Sequence, residues 1–247
     1  MNSAWLVRLV IIAGLIFFSA ETGFAEGSPY ITELTEKMEQ GDAEAQFTLG
    51  VCYFSGIGTS VDQKKGIRLM EQVAEQCHKE ETLAQYYNVF DPKQAVKWRT
   101  KAAEKGDAEA QFNLAVCYDN GKGVLQDDKQ AVYWYTKAAE QGDADAQYNL
   151  GNSYSNGEGV LQDYKQAVYW YTKAAEQGHA EAQNNLCLSY AIGRGVLQDY
   201  AEAYAWALHA ALNGSPKPKE YLAEELTPDQ IASGQIRAKE LQRRMVK

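Results

Sequence analysis

The side chains that most enzymes work with are present in this chain, but not in working arrangements. None of its serines is followed by a lysine three positions on, so the Ser–Lys pair that activates a nucleophile across one helical turn is missing. His78, His179 and His209 are far apart in the sequence, and no H-E-x-x-H or similar cluster offers ligands to a metal. His179 stands in a slot that Asp fills in neighbouring segments, which marks it as a surface residue at a helix start. Cys52 and Cys117 hold equivalent positions, while Cys77 and Cys187 hold others. Without a C-x-x-C motif there is no support for a redox or zinc site. The irregular spacing suits small buried helix residues, and only closeness in space decides whether any two cysteines pair. Carboxylates are plentiful but scattered over solvated helix faces, so no acid–base pair is defined. The expectation is a non-enzyme that needs no metal or cofactor and has no small-molecule substrate.

What positions these residues is a repeat. GDAEAQFNLAVCYDNGKGVLQDDKQAVYWYTKAAEQ (106–141) is followed directly by GDADAQYNLGNSYSNGEGVLQDYKQAVYWYTKAAEQ (142–177), and the two differ at eight of 36 positions. The frame continues through 178–213, and a looser copy occupies 41–76. Between them, 77–105 is a shortened copy that lacks both loop glycines and carries QYYNVF (85–90) in their place. A shortened first helix and a local change of superhelix curvature are expected there. Self-similarity at this period is the signature of a solenoid, in which each unit buries its apolar face only against its neighbours.

Each unit follows one grammar. Asp42, Asp107 and Asp143 follow the opening glycine as N-caps of a first helix. Ala110, Leu114 and Tyr118 recur as Ala146, Leu150 and Tyr154, then as Ala182, Leu186 and Tyr190, the buried stripe of that helix. A small neighbour (Gly50, Ala115, Gly151 or Cys187) admits a second helix. Gly56, Gly121, Gly157 and Gly193 end the first helix in the left-handed conformation that glycine adopts most easily. The second helix starts at Asp127, Asp163 and Asp199, with Gln130, Gln166 or Glu202 three residues on in a capping-box pattern. Its expected buried face is Ala131, Trp134, Ala138 and Ala139, repeated as Ala167, Trp170, Ala174 and Ala175, then as Ala203, Trp206, Ala210 and Ala211. In the shortened unit Asp91-Pro92 opens the second helix, with proline where its missing N–H does no harm.

The ends differ from the repeats. Arg8, the apolar run Leu9–Phe18 and the small residues ending at Ala25 have the layout of a cleavable signal peptide over 1–25. The run is about half the ~20 residues that a membrane span needs, so the expectation is export to the periplasm or beyond, with no span after cleavage. Residues 26–40 read as an N-terminal capping helix and 214–247 as C-terminal capping helices. Pro216 and Pro218 are expected to stop the preceding helix, 222–226 to form a short turn, and Thr227-Pro228 to open a final helix. A net charge of −9, with no clustered Lys and Arg, excludes nucleic acid and anionic lipid as partners.

The pattern A-x-x-x-L-[GA]-x-x-Y, then G-x-G-V, D-x-x-x-A-x-x-W and A-A-x-x-G resembles the Sel-1-like repeat, a relative of the tetratricopeptide repeat, over roughly 41–213. The resemblance implies an all-α, right-handed superhelical solenoid of stacked helix-turn-helix units and a role in bringing proteins together. A cysteine-rich branch of the family is credited with β-lactam binding and hydrolysis. Its regularly paired cysteines are not reproduced here.

In such a solenoid the first helices line the concave surface, so the face opposite the buried stripe is the candidate for a protein or peptide partner. At about 100° per residue that face carries Glu109, Phe112, Val116 and Asp119, then Asp145, Tyr148, Asn152 and Ser155, then Glu181, Asn184 and Leu188. It changes between copies whose buried face does not. Phe112, Tyr148 and Leu188 are odd choices for a purely solvated surface. Asn113, Asn149 and Asn185 lie beside it, placed to bond either a partner's backbone or the adjacent helix.

Overall fold

A computed structural model describes residues 28–88 and 91–245. The signal-peptide reading of 1–25 lies outside the described residues, as do Val89 and Phe90 of the QYYNVF segment. Among the described residues the chain is all helix, arranged as stacked helix-turn-helix units, and no helix is long and apolar enough to cross a membrane. The molecule divides into two compact units, one ending at Tyr86 and one beginning at Tyr87.

The first unit holds α1 (Pro29–Glu39), α2 (Ala43–Ser55), α3 (Gln63–Val73) and most of α4 (Glu80–Tyr87). Ile31 and Leu34 of α1 pack with Ala45, Leu49 and Cys52 of α2, so the N-terminal helix caps an apolar face that would otherwise meet water. Helices α2 and α3 cross backbone to backbone. A Cβ on Gly50 would sit 2.8 Å from the Gly66 carbonyl oxygen, and one on Gly66 would meet the Gly50 carbonyl in return. The expected shortening is visible in α4, which has 8 residues where the first helices α2, α6, α8 and α10 have 13.

The second unit holds α5 (Pro92–Glu104), then the pairs α6 (Ala108–Asn120) with α7 (Asp128–Glu140), α8 (Ala144–Asn156) with α9 (Tyr164–Glu176), and α10 (Ala180–Ile192) with α11 (Tyr200–Leu212). Two closing helices follow, α12 (Lys217–Glu225) and α13 (Pro228–Met245). Helix boundaries follow from local chemistry. Asp107 and Asp143 accept from the N–H of Ala110 and Ala146, and Asp127, Asp163 and Asp199 each accept from two free N–H groups of their helices. The capping boxes are half formed. The N–H of each second-helix cap bonds a first-helix carbonyl instead, Asp127 to Tyr118, Asp163 to Tyr154 and Asp199 to Tyr190, at 2.9–3.0 Å. That bond closes the inter-helix loop.

Three further expectations need correction. Tyr118, Tyr154 and Tyr190, expected to complete the buried stripe of the first helices, are half-buried, and Gln111, Gln147 and Gln183 are buried instead. Trp134 and Trp170 are half-buried, and the fully buried aromatic of the second helix is the next residue, Tyr135 or Tyr171. These tyrosines lie on the line of Ala131 and Ala138 (i+4 and i+7) and point between first helices, while the tryptophans lie over the edge of the cores. Trp206, in the same slot, is buried because the C-terminal helices bring Leu222, Ala238 and Leu241 into its cluster. The expected turn at 222–226 is instead the end of a helix. Pro216 and Pro218 stand at its N-terminus, where proline is tolerated, and α11 has already ended at Asn213 and Gly214.

Candidate binding face

The first helices are held by what lies beneath them. In α8 the buried residues are Ala146, Gln147, Leu150, Gly151 and Ser153, and a Cβ on Gly151 would meet the Tyr171 ring at 2.6 Å. The opposite side is only partly open. Glu109, Asp119, Asp145, Glu181 and Leu188 are exposed there, and Phe112, Val116, Tyr148, Asn152, Ser155 and Asn184 are half-buried.

The two aromatic side chains are part surface and part seam. Phe112 tilts against Tyr135 and Tyr148 against Tyr171, both with ring centroids 6.1 Å apart. Tyr148 also stacks on His179 of the next unit, centroids 4.5 Å apart and planes at 23°. His179 caps α10 through Nδ1, which accepts from the Ala182 N–H at 3.3 Å, and its Nε2 lies 3.2 Å from Asp145. The His179 hydrogen bond holds the Asp145 carboxyl below its ordinary range. Val116 packs on the core containing Ala115 and Leu150. Leu188, 53% exposed, stands clear.

Polar contacts knit neighbouring first helices together. Tyr171 donates to Asn152 Oδ1 at 2.7 Å, and Asn185 Nδ2 reaches the same oxygen at 3.4 Å. Tyr135 donates to Asp119 at 3.2 Å, and burial, then the Asp119 charge, pushes its hydroxyl pKa up. Asn184 donates to Ser215 Oγ at 2.7 Å, while its own Oδ1 is buried without a partner among the described residues. Of the neighbouring asparagines, Asn185 bonds within the solenoid, to Asn152.

The sequence reading passed over a buried clamp. Gln111, Gln147 and Gln183 donate through Nε2 to the carbonyls of Ala103, Ala139 and Ala175, each at 3.0 Å. Their Oε1 atoms accept from Gln141, Gln177 and Asn213 at 2.7, 2.8 and 3.0 Å. One buried amide thus ties the end of the preceding second helix to the end of its own. The available signal was a polar residue kept in the same slot beside the apolar stripe. A second feature also escaped notice. Leu125, Leu161 and Leu197, one per inter-helix loop, are at least 90% exposed.

Among the described residues no group of three or more metal-ligating side chains converges. His209 is buried, with Nε2 3.0 Å from the Ala238 carbonyl. All four cysteines are free. Cys117 Sγ accepts from Arg99 at 3.2 Å, and burial pushes the thiols of Cys52 and Cys187 up to about 11 and about 12.

A solenoid of capped helix pairs with an outward row of first helices defines a class of α-helical repeat proteins that are typically non-enzymatic scaffolds. The Sel1 repeat family matches at residues 43–76, 88–107, 108–143, 144–179 and 180–215, and this chain belongs to that family, whose members generally bring proteins together. A Sel1 repeat protein from Oxalobacter formigenes, known from its crystal structure, is 28% identical, with 93% of this chain and 98% of that chain covered and a TM-score of 0.68. A protective antigen of uropathogenic Escherichia coli with the SLR fold is 30% identical over 85% of this chain and 55% of its own length, with a TM-score of 0.47. Cysteine-rich protein B of Helicobacter pylori is 23% identical over 64% of this chain and 97% of that chain, with a TM-score of 0.37.

Proposed function

We propose that the face formed by α6, α8 and α10 docks a peptide or protein segment, and that the chain is an exported interaction scaffold. The observation that carries the reading is a contrast within near-identical copies. Beneath the helices Ala, Gln and Leu recur unchanged (Ala110, Gln111 and Leu114; Ala146, Gln147 and Leu150; Ala182, Gln183 and Leu186), while the outward slots run Phe112, Tyr148, Asn184 and Val116, Asn152, Leu188. Packing alone fixes the first group; the second is half open, and there the residue type is free to follow a partner as well as the seam beneath it. Export rests on the sequence layout of Arg8, Leu9–Phe18 and Ala25.

The test is comparative capture of partners from the organism's own envelope fraction. Bait proteins would be the wild type, Phe112→Ala/Tyr148→Ala, and Tyr133→Ala/Tyr169→Ala on the second helices. A specific partner should be lost with the first variant and kept with the second. Retention by the first and loss by the second would place docking on the outer helices and end this reading.

A further inference from the structure

The last of the second helices breaks the repeat at its C-terminal end. Helices α5, α7 and α9 all end in Thr-Lys-Ala-Ala-Glu (100–104, 136–140 and 172–176), whereas α11 ends in Leu-His-Ala-Ala-Leu (208–212). Packing against α13 accounts for two of the three changes. Leu208 is half-buried on the C-terminal core, and His209 is buried with Nε2 3.0 Å from the Ala238 carbonyl. It does not account for Leu212, which is 75% exposed where the earlier copies carry glutamate. A second slot changes as well. Lys219, exposed on α12, falls one 36-residue repeat after Gln183, in the place of the buried clamp glutamines.

Both altered slots face one cavity. It lies between α11, α12 and α13 and has a volume of about 510 Å³. Small-molecule sites span roughly 300–1,000 Å³, so it has room for a ligand. Leu208, Leu212 and Ala238 give it apolar walls, and its charged lining residues are Lys219, Lys239 and Glu220. That is an excess of cation in a chain whose net charge is −9. The neighbouring cations of α13 are already engaged, Arg237 by Glu202 and Glu240, and Arg244 by Glu176. Lys219 and Lys239 enter no ion pair or hydrogen bond among the described residues. A lysine stem can lie along an apolar wall while its ammonium group stays in water, ready to meet an anion. Apolar walls with two uncommitted ammonium groups beside them suit a molecule with a hydrocarbon body and one anionic end. We propose that this cavity binds a medium-chain carboxylate, its alkyl body against Leu208, Leu212 and Ala238 and its carboxylate held by Lys219 and Lys239. The site is separate from the docking face on α6, α8 and α10 and does not depend on it.

The probe is decanoate, compared with decyltrimethylammonium by isothermal titration of the purified protein. Decanoate should bind at one site per chain, and the cationic analogue roughly tenfold more weakly. Leu212→Glu restores the residue that α7 and α9 carry in this slot, so the helix should persist. It also puts a carboxylate in the wall and should weaken decanoate roughly tenfold. Lys219→Gln/Lys239→Gln should weaken it about fivefold, the combined effect of two exposed ion pairs, and Lys137→Gln/Lys173→Gln should leave it unchanged. A photoreactive diazirine analogue of decanoate should label peptides within 208–242, which locates the site without any substitution. A wild type that does not bind decanoate, a cationic analogue that binds as well, or undiminished binding by both Leu212→Glu and the Lys219/Lys239 variant overturns the proposal, as does labelling confined to other peptides.

Discussion

Gly159→Ala tests how the units are joined, because three glycines of one repeat separate backbone strain from collision. Gly142, Gly157 and Gly159 all have left-handed φ, at 95°, 79° and 70°. A Cβ on Gly142 meets nothing within 4 Å, and one on Gly157 meets Gln162 Cβ at 3.3 Å. On Gly159 it would overlap the carbonyl oxygen of Asp128, the first residue of the preceding second helix, and come within 2.5 Å of the carbonyl carbon. Gly123 and Gly195 make the same approach to Pro92 and Tyr164. Gly142→Ala should therefore cost only the left-handed strain, about 1–2 kcal/mol. Gly157→Ala should cost the same or slightly more. Gly159→Ala adds the displacement of a packed loop, about 1–3 kcal/mol, for a total of ~2–5 kcal/mol. Urea unfolding followed by far-UV circular dichroism measures all three. The Gly159 variant should also unfold over a broader range, because nearest-neighbour contacts supply the cooperativity of stacked repeats. Equal midpoints for Gly142→Ala and Gly159→Ala would refute the loop-on-helix contact.

The remaining predictions address the clamp, the thiols, the core and the N-terminus. Gln147→Leu should cost about 1–2 kcal/mol in urea unfolding, since the buried Ala139 carbonyl loses one donor but keeps the Gly142 N–H, and the exposed Gln177 rehydrates. A neutral result would mean the amide is replaceable packing. Burial raises the Cys187 thiol from 9.0 to about 12, so its protonated form is the one compatible with the fold. Stability should then be flat below pH 9 and fall between pH 9 and 12 as the unfolded chain ionises, by about 1.4 kcal/mol at pH 10 from this group alone. Cys187→Ser should be less sensitive between pH 8 and 10 than the wild type, and an equal slope would refute the assignment. Leu150→Ala should cost roughly 2–5 kcal/mol, because Leu150 is fully buried, and a much smaller loss would mean the cavity closes over. Intact mass of the protein exported from its own cell should show loss of residues 1–25, and retention of that segment would contradict the signal-peptide reading.

The fold was legible where local chemistry acts alone. Asp107, Asp143, Gly121 and Gly157 place helix ends because a cap needs one oxygen and a left-handed turn needs no Cβ. Ala110 and Leu114 mark the buried side at helical spacing, but Tyr118, which extends the same stripe, is only half-buried. Sequence reasoning failed where two elements compete for one space. Whether Trp134 or Tyr135 enters the seam depends on which line the neighbouring first helices leave open, and that is a tertiary matter. Trp206 is buried only because α12 and α13 arrive from beyond the repeat. The burial of Gln147 was not legible, because a polar residue beside an apolar stripe reveals it only when the carbonyl of Ala139 is seen beneath it. On the candidate face, spacing picked out Glu109, Asp119, Asp145, Glu181 and Leu188, which are exposed, but not that the other six residues are half-buried, that Tyr148 leans on His179 or that Asn152 is engaged by Tyr171.

The most direct test of the docking face is site-specific photocrosslinking in the native cell. A benzophenone side chain would replace Phe112, Tyr148 or Leu188 on the first helices, Tyr133 or Tyr169 on the second helices, and Leu161 in the loop. Crosslinks to one partner from 112, 148 and 188, with none from 133, 169 or 161, are the predicted result. The same partner captured only from 133 and 169, or only from the exposed loop leucine at 161, would contradict it.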